Sequence, residues 1–168
     1  MKSTNKLIYL LVLVLGLSLP VNAQSKKEKK EARINAIKEL VNAQKIKIDV
    51  DIAYPMTGAS INLTSMYSLT VRNDSVYSYL PYYGVAYNIP YGGGSGLIFN
   101  APITNYELKY KKDGTANIQF KTSSPDDNIT YSISIYTSGK ADIYVTPINR
   151  QGISYHGNFQ YELHKQKK

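Results

Sequence analysis

Apolar and polar residues alternate through most of this chain, which predicts a protein built of β-strands. The alternation starts with Ile46, Ile48, Val50 and Ile52 and recurs almost to the end of the sequence. A period of two places apolar side chains on one face of a strand and polar side chains on the other. Eight or nine such segments follow each other at spacings of about 8–12 residues, which is typical of an all-β domain.

Short turn signals between these segments favour an antiparallel meander. Asn73-Asp74 and Asp113-Gly114 are two-residue hairpin signals, and Ser138-Gly139 marks another turn. Closing such a meander into a barrel would remove its two exposed edges. We therefore predict a lipocalin-like up-and-down barrel of eight or nine strands, with a β-sandwich as the alternative. A last strand of 11 residues, from Ile153 to Leu163, slightly favours the barrel.

One helix is predicted before the strands. Over residues 26–44 the apolar residues Ile34, Ile37 and Val41 recur at helical spacing, with Leu40 beside them. The other positions are mostly Lys, Glu and Ala, which have high helix propensity. We predict a basic amphipathic helix that buries one apolar stripe against the sheet.

The first 23 residues have the layout of a secretory signal peptide. Lys2 and Lys6 precede an apolar run, and Pro20 ends that run shortly before Ala23. We expect cleavage between Ala23 and Gln24. Since the apolar run of about 13 residues is too short for a hydrocarbon core of about 30 Å, we expect no transmembrane segment after cleavage. The mature protein is then expected in the periplasm or outside the cell.

The chain accordingly divides into four predicted parts. They are the signal peptide (residues 1–23), the basic helix (24–44), an antiparallel β domain (45–164) and a basic tail (165–168). The formal net charge is +8, but residues 48–164 hold seven bases and nine acids. A nucleic-acid-binding domain carries its basic stripe on the folded body, so we expect no nucleic-acid partner. The absence of Cys excludes disulfides, thiolate metal sites and cysteine nucleophiles.

Residues 77–99 combine tyrosine, proline and glycine to an unusual degree. Six tyrosines fall in this segment, at Tyr77, Tyr79, Tyr82, Tyr83, Tyr87 and Tyr91. A glycine-rich flap, GGGSG, follows them. Clustered tyrosine rings stack on apolar ligand faces, and their hydroxyls make directional hydrogen bonds. We therefore predict that all of these tyrosines except Tyr77 bind a small hydrophobic or glycan-like ligand. The alternative is that the rings cover sheet surface.

Two motifs in and after this segment resemble a known family. LPYYGVAY with the following PYGGGSG, and the later NRQGISYHG at residues 149–157, are similar to the exported Bacteroidota proteins grouped as domain of unknown function 4251 (DUF4251). The resemblance covers roughly residues 30–163 and implies a small extracytoplasmic β domain of lipocalin-like topology. It implies no known activity and no catalytic residues. Members often have Arg after the motif glycine, where this chain has Val85, so a role of that arginine does not carry over.

Two further residues are candidate functional positions. Arg150 lies in the predicted turn before the last strand, where a guanidinium can hold a carboxylate or phosphate through paired hydrogen bonds. The alternative is an exposed arginine of a surface hairpin. Ser75, within Asp74-Ser75-Val76, matches the acceptor pattern of the protein O-glycosylation that the resemblance to Bacteroidota proteins brings in.

No catalytic centre, metal site or cofactor is predicted. His156 shares a polar strand face, where we expect it to be solvated or hydrogen-bonded. Residues 126–128 (Asp-Asp-Asn) lack the alternation of an EF-hand loop and are interpreted as the cap of their own turn. We expect no enzyme activity. The favoured hypothesis is an exported barrel that binds a small ligand through the Tyr/Gly-rich loop. The alternative is a non-catalytic structural or protein-interaction module of the cell envelope, whose partner is an envelope protein.

Overall fold

A computed structural model of the protein describes residues 26–88 and 96–161. The predicted signal peptide (residues 1–23) and its cleavage site, Tyr91 of the ligand-binding candidates, and the basic tail (165–168) lie outside the described residues.

Eight antiparallel strands form a closed barrel in simple sequence order. They are β1 (Ile46–Pro55), β2 (Ile61–Arg72), β3 (Ser75–Leu80), β4 (Leu97–Tyr110), β5 (Ala116–Ser123), β6 (Asn128–Ile135), β7 (Lys140–Pro147) and β8 (Ile153–Phe159). The barrel closes because β1 pairs with both β2 and β8. The up-and-down barrel predicted from the alternating pattern is confirmed, and the sandwich alternative is excluded.

Helix α1 (Lys26–Asn42) precedes the barrel. The chain divides into two units, residues 1–30 and 31–168, and the helix begins in the first and continues in the second. In the second unit its apolar stripe is buried at Ile37, Leu40 and Val41. The spacing of apolar residues therefore identified both the helix and its buried face.

Within the second unit, two side-chain contacts hold residues 31–42 of the helix against one end of the barrel. Arg33 Nε donates a hydrogen bond to the Thr137 carbonyl oxygen at 3.1 Å, in the turn between β6 and β7. The Tyr110 hydroxyl, at the end of β4, donates to Asn42 Oδ1 at 2.9 Å. Because a meander alternates in direction, the connections after β2, β4 and β6 share this end.

The remaining connections share the opposite end of the barrel, which we name the loop end. It comprises residues 56–60, 81–88, 124–127 and 148–152. Residues 81–87 of LPYYGVAY and the NRQG segment of the second motif lie at this end, while residues 90–95 of the PYGGGSG segment lie outside the described residues. The meander therefore brings together segments that are far apart in the sequence.

The tight turns follow the sequence prediction. Asn73 and Asp74 adopt φ values of 53° and 54°, as a two-residue type I′ hairpin requires. Gly114 and Gly139 adopt φ values of 85° and 88° in the turns after β4 and β6, a conformation that glycine reaches without steric cost.

The last strand is shorter than predicted. β8 has seven residues and ends at Phe159, so the predicted extension to Leu163 is wrong. One neighbour runs out at this point, because β7 begins at Lys140, opposite Asn158, whereas β1 continues to Ile46. The backbone amide of Gln160 still donates a hydrogen bond to the Lys47 carbonyl oxygen at 2.8 Å. The alternation of side chains in the sequence continues past Phe159, although β8 has a partner strand on both sides only up to Asn158.

Side chains from all eight strands fill the barrel interior. One fully buried example from each strand is Ile48, Leu69, Val76, Leu97, Ile118, Ile133, Ile143 and Tyr155. The Phe120 and Tyr131 rings stack with their centroids 5.1 Å apart. An eight-stranded barrel has room for one layer of such side chains or for a small ligand. In this protein the side chains occupy that space as a packed core.

A glycine allows the closing pair of strands to approach each other. β1 is bulged between Val50 and Ile52, and Gly157 of β8 faces this bulge. A Cβ atom on Gly157 would overlap the Asp49 carbonyl oxygen and lie 2.9 Å from the Val50 Cα. Any side chain at this position would therefore push the two strands apart where the barrel closes.

Candidate functional site

The two sequence motifs contact each other at the loop end. The backbone amide of Tyr87 donates a hydrogen bond to the Asn149 carbonyl oxygen at 2.7 Å. The backbone amide of Gln151 donates one to the Val85 carbonyl oxygen at 3.0 Å. The Val85 amide in turn donates to Gln151 Oε1 at 3.2 Å. The YYGVAY and NRQG segments are therefore joined by hydrogen bonds across the loop end.

Tyr82 strengthens this junction. Its hydroxyl donates a hydrogen bond to the Gln151 carbonyl oxygen at 2.9 Å and lies 3.2 Å from the Val85 carbonyl oxygen. Its ring covers the guanidinium of Arg150, with Cζ 5.3 Å from the ring centroid. A Cβ at Gly84 would lie 2.6 Å from the Tyr82 hydroxyl oxygen, so the glycine lets the ring fold back. Burial raises the pKa of Tyr82, and the positive charge of Arg150 opposes this shift.

Arg150 is buried and forms an ion pair with Asp127. It is 6% exposed, and its Nε lies 3.2 Å from Asp127 Oδ2. The same carboxylate accepts the backbone amides of Ile148 at 2.8 Å and Asn149 at 3.0 Å. Arg150 is therefore not an exposed hairpin arginine, and the carboxylate it holds belongs to this chain. Its predicted ligand-binding role stays a prediction.

Asp127 is the residue of this candidate site that the sequence analysis missed. Its own turn is capped by Ser124, whose Oγ accepts the Asp127 amide at 3.0 Å, while its carboxylate caps the loop between β7 and β8. A signal was available, because the loops after β5 and β7 of a meander share one end, and a buried arginine requires a counter-charge. We name Tyr82, Asp127, Arg150 and Gln151 the loop-end cluster.

The tyrosines predicted to bind a ligand lie in different surroundings. Tyr82 and Tyr83 are half-buried and pack against the core. Tyr79 and Tyr87 are exposed by 48% and 65%. The structure thus brings Tyr82 together with Arg150, whereas Tyr79 faces outward from β3.

An exposed apolar surface lies on β3 and β4 on the outside of the barrel, and the half-buried Tyr67 of β2, which also packs against the core, borders it. Tyr77 and Ile98 are 41% and 46% exposed, and Ile98 lies directly opposite Tyr79 across the β3–β4 pair. The Tyr67 ring meets the Tyr79 ring with centroids 5.4 Å apart. We name Tyr67, Tyr77, Tyr79 and Ile98 the tyrosine patch.

Uncharged side chains border the tyrosine patch. Ser68 and Thr70 of β2 pair with Tyr79 and Tyr77, and Asn100 of β4 pairs with Tyr77 on its other side. The centres of protein–protein interfaces are depleted in charged residues and enriched in tyrosine. The patch has the composition of such a centre.

The predicted hydrogen-bonded role of His156 is confirmed. Its Nδ1 lies 2.6 Å from Asp142 Oδ1, and the Tyr136 hydroxyl donates to Asp142 Oδ2 at 2.7 Å. Among the described residues, 26–88 and 96–161, no group of three or more His, Cys, Asp or Glu side chains is arranged to hold a metal ion.

Ser75 begins β3 directly after the hairpin turn. It is half-buried and pairs with Arg72 on one side and Pro102 on the other. Its position beside the hairpin agrees with the sequence interpretation, and its O-glycosylation stays a prediction. In the part of the chain that the structure describes, no helix combines the length and apolar character needed to cross a bilayer.

Comparison with known proteins agrees with this architecture. The family model described as "Domain of unknown function (DUF4251)" matches residues 28–159. The crystal structure of a DUF4251 family protein from Bacteroides eggerthii is similar over 76% of this chain and 87% of that chain, with a TM-score of 0.56 and 16% sequence identity. At that identity the likeness shows a shared fold. No curated protein matches the sequence.

Proposed function

This chain belongs to the DUF4251 family, and we propose that it is an exported, non-catalytic interaction module that binds a partner protein of the cell envelope through the tyrosine patch. The observation that carries this proposal is the uncharged tyrosine patch, whose Tyr77, Tyr79 and Ile98 are exposed on β3 and β4. Contiguous exposed apolar side chains on a protein surface mark interaction sites.

The packed interior supports binding on the outside of the barrel. A small-ligand carrier of this size holds its ligand within the barrel, where Phe120, Tyr131 and Tyr155 here fill the space. At the loop end, the Tyr82 hydroxyl and the Arg150 guanidinium are engaged with Gln151 and Asp127. The groups that a ligand would need are thus already used by the fold.

The second candidate function is the binding of a small hydrophobic or glycan-like ligand by the Tyr/Gly-rich loop. The observation that favours it is the exposed ring of Tyr87, 65% accessible beside the loop-end cluster. Native mass spectrometry of protein from its own host distinguishes the two. Excess mass that disappears on denaturation, and that is absent from the Tyr87→Ala variant, would favour the loop.

The tyrosine patch can be tested by site-specific photocrosslinking in the envelope of the host. A photoreactive residue at Asn100, which borders the patch, is expected to give one discrete adduct, while the same residue at Thr146 on β7 is expected to give none. Tyr79→Ser should abolish the adduct, and Tyr110→Ser, which removes another exposed ring, should preserve it. An adduct that survives Tyr79→Ser, or equal adducts from both positions, would refute docking through the patch.

Export is proposed from the layout of the first 23 residues. N-terminal sequencing of the protein recovered from the host envelope is expected to begin at Gln24, directly after Ala23. A cytoplasmic protein that retains Met1 would overturn this part of the proposal and leave the tyrosine patch to be tested separately.

A further inference from the structure

The outer face of β7, β8 and β1 carries several hydrogen-bonded groups of polar side chains, here called the array. Asp142 contacts His156 at 2.6 Å. One row along, Asn158 accepts from the Lys140 ammonium at 2.8 Å and donates to Asp51 Oδ2 at 2.6 Å. These contacts orient the side chains before any ligand arrives, and such preorganisation lowers the entropic cost of binding.

Two exposed tyrosine rings lie on either side of β8 at one edge of this array. Ser154 of β8 pairs with Tyr54 on β1 and with Tyr144 on β7, and these tyrosines are 44% and 46% exposed. Since adjacent strands lie about 4.8 Å apart, the two tyrosine Cα atoms are about 10 Å apart across the small serine. The Tyr144 hydroxyl lies over Gly152, where a Cβ would approach it to 3.2 Å.

From this arrangement we propose that the β7–β8–β1 face binds a neutral carbohydrate chain laid across the three strands. Sugar rings present apolar C–H faces, which pack on aromatic rings, and hydroxyl edges, which both donate and accept hydrogen bonds. The two tyrosines supply the rings. The array supplies carboxylate and amide acceptors, amide and ammonium donors, and the imidazole of His156, whose neutral form with a proton on Nδ1 has an acceptor at Nε2.

The charges on this face favour a neutral ligand over an anionic one. Asp49, Asp51 and Asp142 face outward here together with Lys47 and Lys140, and Lys47 lies 3.8 Å from Asp49. A phosphate or sulfate group would meet three carboxylates against two ammonium groups, and like charges in proximity disfavour binding. Hydroxyl groups meet no such repulsion. The centre of this face, β8, lies three strands from β3 at the centre of the tyrosine patch, although its β1 edge pairs with β2. Tyr54 and Tyr144 belong neither to the patch nor to its border, so this inference is tested independently of the proposed partner protein.

The test uses the full mature chain on an array of immobilised neutral oligosaccharides, with sulfated and phosphorylated glycans beside them. We expect at least one neutral oligosaccharide to be retained. Tyr144→Ala and Tyr54→Ala should each weaken that binding about tenfold through loss of ring stacking. Tyr110→Ala removes an exposed ring on β4, away from this face, and should leave the affinity within about twofold.

Three outcomes would overturn the proposal. They are no retention of any neutral oligosaccharide, selective retention of anionic glycans, and a loss of binding in Tyr110→Ala that Tyr144→Ala does not show. If Tyr144→Ala lowers the melting temperature, Tyr144→Leu keeps the bulk without the aromatic ring. That variant should bind as weakly as the alanine variant while melting like the wild type, and full binding by it would contradict ring stacking.

Discussion

Replacing Arg150 by methionine is expected to lower the free energy of unfolding by about 3 kcal/mol. The change removes the guanidinium but keeps an unbranched side chain that can still pack beneath Tyr82. The Asp127 carboxylate, whose side chain is 0% exposed, then loses its counter-charge while remaining buried. The loop between β5 and β6 and the loop between β7 and β8 would be joined less firmly at the loop end.

The magnitude follows from what remains around the carboxylate. Breaking a buried ion pair by removing one partner costs about 3–5 kcal/mol. Asp127 keeps the backbone amides of Ile148 and Asn149, and hydrogen bonds to a charged group stabilise it by about 1.5–3 kcal/mol each. We therefore expect a value near the lower end of the range. In a chain of this size, 3 kcal/mol corresponds to a fall in melting temperature of about 6–12 °C.

Urea denaturation followed by circular dichroism measures this change. Arg72→Met is the matched control, because it makes the same replacement at an exposed arginine at the end of β2. Adding Asp127→Asn to Arg150→Met removes the uncompensated charge and should recover part of the stability. The reasoning would be refuted if Arg150→Met stayed within about 0.5 kcal/mol of Arg72→Met, which is the range of ordinary surface substitutions.

Three further outcomes follow from buried groups. Gly157→Ala should destabilise the barrel by more than about 3 kcal/mol, because its Cβ would overlap the β1 backbone; a soluble variant that melts like the wild type would contradict this. The Tyr106 hydroxyl is buried without a hydrogen-bond partner among the described residues, so Tyr106→Phe should raise stability by about 1 kcal/mol in urea melts, and a loss of stability would argue against that geometry. Burial raises the pKa of Tyr106 to about 12 and also raises the pKa of Tyr131 and Tyr155. Because the unfolded chain then releases these protons first, stability should hold below about pH 10 and fall above it, and phenolate absorbance showing that these tyrosines titrate near pH 10 in the folded protein would exclude this.

Local patterns were sufficient to predict most of the barrel. The inward positions of β6, such as Ile129, Tyr131 and Ile133, follow from strict alternation, and the Asn73-Asp74 turn follows from hairpin chemistry. The predicted end of β8 was wrong, because the length of a strand depends on where its neighbours stop. That information lies in β7, which begins opposite the end of β8, rather than in β8 itself.

The sequence predicted the segments that form the candidate site but not the contacts between them. The tyrosine-rich segment and the Arg150 motif were recognised as unusual, yet the pairing of Arg150 with Asp127 brings together residues from two different loops. Likewise, the exposure of Tyr79 and the half-burial of Tyr83 depend on which side of the chain meets the core at the end of β3. A list of tyrosines does not carry that information.

The sequence by itself determined the helix, most of the strands with their faces, and the meander, because these depend on residue spacing and turn chemistry over a few residues. Only the tertiary structure decided that the barrel is filled, that Gly157 permits its closure and that Asp127 neutralises Arg150. It also placed Tyr54, Ser154 and Tyr144 in one row on the outer surface. These features depend on contacts between residues far apart in the chain, whose register is set only when all eight strands close into one barrel.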